Sequence, residues 1–344
     1  MKNLLLSVLV VLSACATTEE HLDQSWPFMA AFGSCADQSA PAPVWDQIKK
    51  QDPDLFIFLG DNVYAEPDGL APLKKAWSVF SGLEGPQSLM KNVRYLETWD
   101  DHDFGVNDAG REVPFKSEAQ KLFLNAFHVR RNDPRRRRSG VYYSEDLVVD
   151  GNMLKVIVLD TRYFRDPWKK APKGAKLNGT PKFYEPDASP EKTLLGKDQW
   201  KWLEMELKQP FSYRIIVSSI QLLSLNHGFE KWGNFPKERE RILNLISETG
   251  AGRTLILSGD RHFAAFYEWA APGGGSLTEF TSSGLNKRGH PGVETDPLMV
   301  EGNKFIENNY GTLELDFTRN QAKISVVDVA GKKIQSRVMS LGRN

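Results

Sequence analysis

Residues 54–66 read DLFIFLGDNVYAE. Leu55 to Leu59 form an unbroken apolar run that stops at Gly60-Asp61. A short run of large apolar residues that ends in turn residues predicts a strand buried on both faces. Such a strand needs cover above and below, and its polar continuation falls at the carboxyl edge, where α/β sheets place their ligands.

Working outward, PFMAAFGSC before this stretch reads as a second buried strand, and VWDQIKK between the two has helical spacing, closed by Asp52-Pro53. A helical region spans Leu73 to Met90, then the strand RYLETWDDHDFG and the helix SEAQKLFLNAFHV. The segment VYYSEDLVVDGNMLKVIVLDTR alternates around Asp150-Gly151-Asn152 and predicts a hairpin. Next come the helix LLGKDQWKWLEMELKQ, the strand RIIVSSIQLL, the helix PKERERILNLISE and the strand RTLILSGDRHF. From Leu277 the pattern is mostly strand, ending in YGTLELDF and QAKISVVDV. Buried strands alternating with amphipathic helices predict an α/β fold of mixed sheets with helices on the outer faces. Residues 169–190, rich in Pro, Gly and Lys, read as a long insertion loop. No internal repeat or domain linker stands out.

The chain has 344 residues with 44 acidic and 44 basic side chains, so bulk charge implies no nucleic-acid partner. The run Arg135 to Arg138 reads as a solvated loop, with a phosphate-recruiting rim as the alternative. The start, MKNLLLSVLVVLSAC, has a basic residue, an apolar stretch of signal-peptide length and a small-residue site before Cys15. Leu12-Ser13-Ala14-Cys15 resembles the bacterial lipobox. That resemblance implies a signal peptide at 1–14, lipidation of Cys15, a tether at 15–25 and one domain at 26–344. It also implies an extracytoplasmic, membrane-anchored protein, on the periplasmic face of the outer membrane in a Gram-negative host. With Cys15 taken by lipid, Cys35 has no disulfide partner, and a lone thiol in an oxidising compartment is either core or bound.

Four apolar strands end in donor groups: Phe32-Gly33-Ser34-Cys35, Gly60-Asp61-Asn62-Val63-Tyr64, Trp99-Asp100-Asp101-His102-Asp103 and Ser258-Gly259-Asp260-Arg261-His262. Any one of them is an ordinary polar turn. Four in the same topological position predict a convergent metal centre.

The motifs GDNVYAE, WDDHDFG, DTRYF and SGDRHF, in this order and spacing, resemble the alkaline phosphatase D (PhoD-like) family of calcineurin-like metallophosphoesterases. The likeness runs from about Phe28 to beyond Asn286. It implies an αββα sandwich of two mixed sheets flanked by helices. By position, it implies a first metal, Fe(III), on Cys35, Asp61, Tyr64 and His262. A second, Ca²⁺ or else Mg²⁺, Mn²⁺ or Zn²⁺, would share Asp61 and add Asp101 and Asp260, completed by Ser218, Ser219, Gln221 or His227; a lone loop histidine such as His227 is otherwise expected at the surface.

The implied activity is hydrolysis of extracytoplasmic phosphate mono- or diesters by a metal-activated hydroxide. His102 would stabilise charge or protonate the leaving group, with Asp103 as its orienting partner. Arg162 is a candidate phosphate clamp, the alternative being a salt bridge to an acid, and Asn107 a candidate phosphate hydrogen-bond donor or turn cap. Trp99 and Asp100 read as structural. The competing readings are a phospholipase D-like phosphodiesterase, a non-catalytic surface lipoprotein that retains the fold, and a nucleotide-binding domain. The last lacks a glycine-rich phosphate loop.

Overall fold

A computed structural model describes residues 26–289, 295–300 and 304–342. The signal, Cys15 and the tether lie outside the described residues. Among the described residues no helix is long and apolar enough to cross a membrane.

Twelve strands form two six-stranded mixed sheets. The first contains β1 (Phe28–Gly33), β2 (Leu55–Leu59) and β3 (Arg94–Thr98). The second contains β4 (Tyr143–Val149), β5 (Asn152–Val158), β6 (Tyr213–Val217), β7 (Thr254–Ser258), β8 (Ala264–Ala270) and β9 (Ser276–Ser282). The chain returns to the first sheet with β10 (Asn309–Asp316), β11 (Gln321–Asp328) and β12 (Lys333–Ser340). Strand order is β12-β11-β10-β1-β2-β3 in one sheet and β8-β9-β7-β6-β5-β4 in the other. β1, β2 and β3 run parallel, as do β5, β6, β7 and β9, and antiparallel strands form the remaining edges.

The period-2 geometry of a strand divides β2 between two cores. Leu55, Ile57 and Leu59 meet Ile215, Val217, Leu255 and Leu257 between the sheets. Phe56 and Phe58 turn outward to Trp45, Phe80 and Phe127. These belong to a layer of α1 (Val44–Gln51), α2 (Leu70–Phe80), α3 (Glu84–Asn92) and the neighbourhood of α5 (Lys116–Ala126). On the other sheet, Ile216 and Ile256 pack under α6 (Gly196–Leu207) and α7 (Pro236–Gly250) through Trp200, Leu203, Ile242 and Ile246. Each large apolar side chain so buried contributes about 1.5–3 kcal/mol. The αββα sandwich follows from this two-faced burial.

Three local expectations change. The helix expected over Leu73 to Met90 is broken into α2 and α3, because Pro86 lacks an N–H and fits only the first turn of a new helix. The strand RYLETWDDHDFG stops at Thr98, and Asp101–Phe104 form a single helical turn, α4. Asp100 and Asp103 close it with a reciprocal capping box. The arginine run is not simply solvated. Arg135 is buried, 2.7 Å from Glu97, and Arg136 donates to the Leu124 carbonyl in the last turn of α5 and to those of Val129 and Arg130 just beyond it. Orphan carbonyls at a helix terminus attract such a cation. The hairpin turn behaves as its composition demands: Asp150 and Gly151 have φ of 48° and 75°, a primed turn that matches strand twist.

Candidate metal centre

The carboxyl ends of β1, β2 and β3 lie side by side. Those of β7 and β9 reach them across the sandwich. A short parallel bridge between Ser34 and Ser283 joins the two sheets here, and Gly284 N–H donates to the Ser34 carbonyl at 3.1 Å. Two glycines permit the approach. A Cβ on Gly259 would sit 2.4 Å from Ser34 Oγ, and one on Gly60 would sit 2.7 Å from Asp100 Cβ.

Beyond each strand the chain turns through left-handed backbone: Cys35, Asp61, Asp260 and His262 have φ of 61°, 50°, 69° and 57°. This conformation costs non-glycine residues free energy, and its clustering marks a functional site. The turns aim four donors at one point. Asp61 Oδ2 lies 3.4 Å from both Cys35 Sγ and Tyr64 Oη, and Tyr64 Oη lies 3.3 Å from His262 Nε2. Donor atoms of Cys35, Asp61 and His262 fall within 4.8 Å of one another, as do those of Asp61, Asp101 and His102.

The cluster holds more negative charge than hydrogen bonds can offset. Burial, then the charges of Asp101 and Cys35, push the Asp61 carboxyl well above its ordinary range. Burial would raise Cys35, but the His262 charge and hydrogen bonds from His262, Ser283 and Ser34 outweigh it and pull the thiol below its ordinary value. Burial would also raise Asp101; the charges of His102 and Arg162 and the Asp108 N–H hold it well below the usual range instead. Asp101 Oδ1 is buried without a hydrogen-bond partner. Burial, then the charges of Asp61 and Cys35, push the Tyr64 phenol well above its ordinary value. A thiol, a phenol and carboxylates crowded so that their ionised forms repel one another, beside an imidazole, fit a cation, which would offset that repulsion.

Asp61, Asp101, His102, Asn107, Asp260 and His262 line one cavity of about 650 Å³. Asn107 is exposed on its rim. Three other residues have different positions from those expected. Arg162 is not a phosphate clamp: it is fully buried, its Nε donates to Asp100 at 2.6 Å and both Nη atoms donate to Glu230. Asp103 does not orient His102. It accepts from the backbone of Asn62, Val63 and Asp100 and from the Asn62 amide, pinning the β2 loop to α4. His102 Nδ1 is left without a partner, and its ring packs on Tyr64 at a centroid distance of 4.2 Å. His227 is not at the surface: it is buried and accepts from Phe229 N–H, and burial followed by the charges of Arg261 and Lys231 holds its ring neutral.

None of Ser218, Ser219, Gln221 and His227 lines the cavity. Ser219 donates to Asp100 at 2.6 Å, Ser218 to the Ile220 carbonyl, and Gln221 to Thr281. Asp108, absent from the sequence-based set, does line it. Its N–H donates to Asp101 at 2.7 Å, and its carboxyl accepts from Tyr184 at 2.5 Å. Ser283 was also missed; its Oγ lies 3.1 Å from Cys35 Sγ and accepts from His262 N–H. Its place at the end of β9 was the available signal. Trp99 donates to Asp160, and Asp100 pairs with Arg162, so both serve the scaffold.

The family model for PhoD-like phosphatases matches residues 83–326. This chain belongs to the PhoD-like phosphatase family. The PhoD-like match includes Asp101, Asp260 and His262, while Cys35, Asp61 and Tyr64 precede it. Alkaline phosphatase D of Bacillus subtilis (strain 168) is 26% identical over 186 residues, 49% of this PhoD-like chain and 31% of that protein. The aligned part is thus under a third of that relative's length. Among solved structures, that of PhoD superposes with a TM-score of 0.66 at 18% identity, covering 91% of this chain and 68% of the other. GAP50, the anchor in the inner membrane complex of Plasmodium, follows at 0.57 and 12%, covering 93% and 90%. A dimetal phosphatase from Danio rerio gives 0.50 and 10%, covering 92% and 100%. At these identities the PhoD-like chain shares a fold with all three, and one of them is named as an anchor, so its activity has to be argued from the site.

Proposed function

We propose that this chain hydrolyses phosphate mono- or diesters in the cavity at the strand ends, with two metal ions bound there. The observation that carries the reading is the double membership of Asp61, whose carboxylate belongs to one donor cluster with Cys35 and His262 and to another with Asp101 and His102. A carboxylate shared between two donor sets suits a pair of cations acting on one phosphoryl group. Cys35, Asp61, Tyr64 and His262 would hold the first ion, with Fe(III) favoured by thiolate and phenolate. Asp61, Asp101 and Asp260 would hold the second, and their oxygen donors favour Ca²⁺, Mg²⁺ or Mn²⁺ over Zn²⁺. When bound, the ions would neutralise phosphoryl charge and acidify an attacking water.

The protein's own groups do the rest. Ser283 and Ser34 hydrogen-bond Cys35 and set its thiol, and the Asp108 N–H fixes one oxygen of Asp101. His102 faces the cavity beside Asp101 and is placed to donate a proton to the departing alcohol. Purified protein should contain iron and a divalent ion and hydrolyse p-nitrophenyl phosphate or its bis-ester, with Asp61→Asn abolishing turnover. Full activity after removal of all metal would overturn the reading. The basic-apolar start ending at Cys15 supports a lipid anchor and an extracytoplasmic substrate. Palmitate labelling that is lost in Cys15→Ser tests this part, and unlabelled wild type refutes it.

A further inference from the structure

Besides its acidic residues, the cavity is lined by an apolar set. Thr180, Pro181 and Phe183 come from the insertion, Phe229 from the loop after β6, and Phe263 from the turn after β7. Phe183 is 49% exposed, and its ring lies 5.2 Å from that of Phe229. The Arg261 guanidinium lies 4.3 Å from the Phe229 ring centroid, and the Lys304 ammonium lies 4.8 Å from that of Phe263.

This apolar set is fixed in place. The N–H groups of Phe183 and Tyr184 both donate to the Gly228 carbonyl, at 2.8 and 3.2 Å. A Cβ on Gly228 would lie 2.2 Å from the Pro181 carbonyl oxygen, so the two loops touch backbone to backbone. Tyr184 then ties the insertion to Asp108, whose N–H holds Asp101. An exposed phenylalanine locked onto the loop after β6 at a cavity rim is a feature of a site rather than of a solvated loop.

We propose that Phe183 and Phe229 form a leaving-group subsite that favours phosphate esters of aromatic or extended apolar alcohols over those of small polar alcohols. This rests on the phosphoesterase reading above: the phosphoryl group goes to the acidic residues, which leaves the alcohol to the aromatic ones. Stacking on a preformed ring pair contributes to binding of the whole ester and therefore acts on KM more than on kcat.

The test compares 2-phenylethyl phosphate with glycerol 1-phosphate, both esters of primary alcohols, so that the leaving group's intrinsic chemistry changes little. Metal-loaded wild-type protein should show a kcat/KM about three- to tenfold higher for the phenylethyl ester, the range expected of one aromatic contact. Phe183→Ala should remove most of that preference by raising KM for the phenylethyl ester, and Phe183→Tyr should retain it. Equal kcat/KM for the two esters in wild type, or a preference that survives Phe183→Ala, would overturn the subsite while leaving the phosphoesterase reading intact. Hydrolysis of neither ester by metal-loaded protein that still cleaves bis-p-nitrophenyl phosphate would overturn the subsite alone, and failure on that diester as well would overturn both.

Discussion

Replacing Arg162 with Met separates a structural role from a substrate-binding one. Arg162 is fully buried, with charge-assisted hydrogen bonds to Asp100 and to both oxygens of Glu230, which also accepts from Trp168 Nε1 at 2.8 Å. Removing one partner of a buried ion pair leaves uncompensated charge and costs about 3–5 kcal/mol. Here the loss should fall near the lower end. Burial already pushes the Asp100 carboxyl up to about 7 against the pull of Arg162, so without the cation Asp100 takes up a proton. That leaves Glu230 as the main stranded charge. With a urea m-value of about 3 kcal/mol/M, a loss of about 3 kcal/mol moves the midpoint down by about 1 M. Urea unfolding followed by fluorescence, with metal content measured alongside, reads this directly. A second substitution, Glu230→Leu, should recover much of the loss, because deleting a whole buried pair costs far less than halving it. The ester KM should stay near wild type in Arg162→Met. An unchanged urea midpoint together with a KM raised by a hundredfold would refute the reasoning and restore Arg162 as a phosphate clamp.

Three further outcomes follow from the site. Asp103→Ala should destabilise the protein by about 2–4 kcal/mol in the same urea assay, since it strands several donors of the β2 loop; wild-type stability with lost turnover would instead make Asp103 part of the chemistry. Asp101→Ala should lose bound metal by elemental analysis, whereas His102→Ala should retain it and lose kcat. Retention of the full metal complement in Asp101→Ala would refute its place as a ligand. Tyr64→Phe should abolish a visible tyrosinate-to-iron absorption band, and a colourless wild type would exclude iron from that position.

The sandwich was legible because β2 is apolar on both faces and β6 and β7 mostly so, and only a fold with cover on each side of each sheet suits such strands. The donors after β1, β2 and β7 were legible for the same reason, since each follows an apolar run, whereas those after β3 follow the mixed stretch Arg94–Thr98. Roles within WDDHDFG were not. The segment was expected to extend as a strand, yet Asp101 to Phe104 coil into one turn, and two residues along a helix rotate a side chain by about 200°. Asp101 therefore points to the cavity and Asp103 to the β2 loop behind it, and no linear spacing distinguishes the two. Arg162 was ambiguous for a related reason: its partner Glu230 is 68 residues away in a loop, outside the reach of any local pattern.

The Gly-Asp pairs carry a second meaning that the sequence hides. Asp61 and Asp260 are the evident donors, but the glycine before each decides whether the strand ends can meet. Gly60 lies against Asp100 and Trp99 at the end of the neighbouring strand, and Gly259 against Ser34 and the Leu59 carbonyl in the opposite sheet. A side chain at Gly259 would therefore force the sheets apart where Cys35 and Asp61 of one must meet His262 of the other. The left-handed backbone at the aspartate of each pair costs free energy that the two-sheet core packed beneath is able to hold. The candidate metal centre is in this sense a property of the sandwich interface: neither sheet alone carries the whole set of donors proposed for it, and the two glycines are what let them combine.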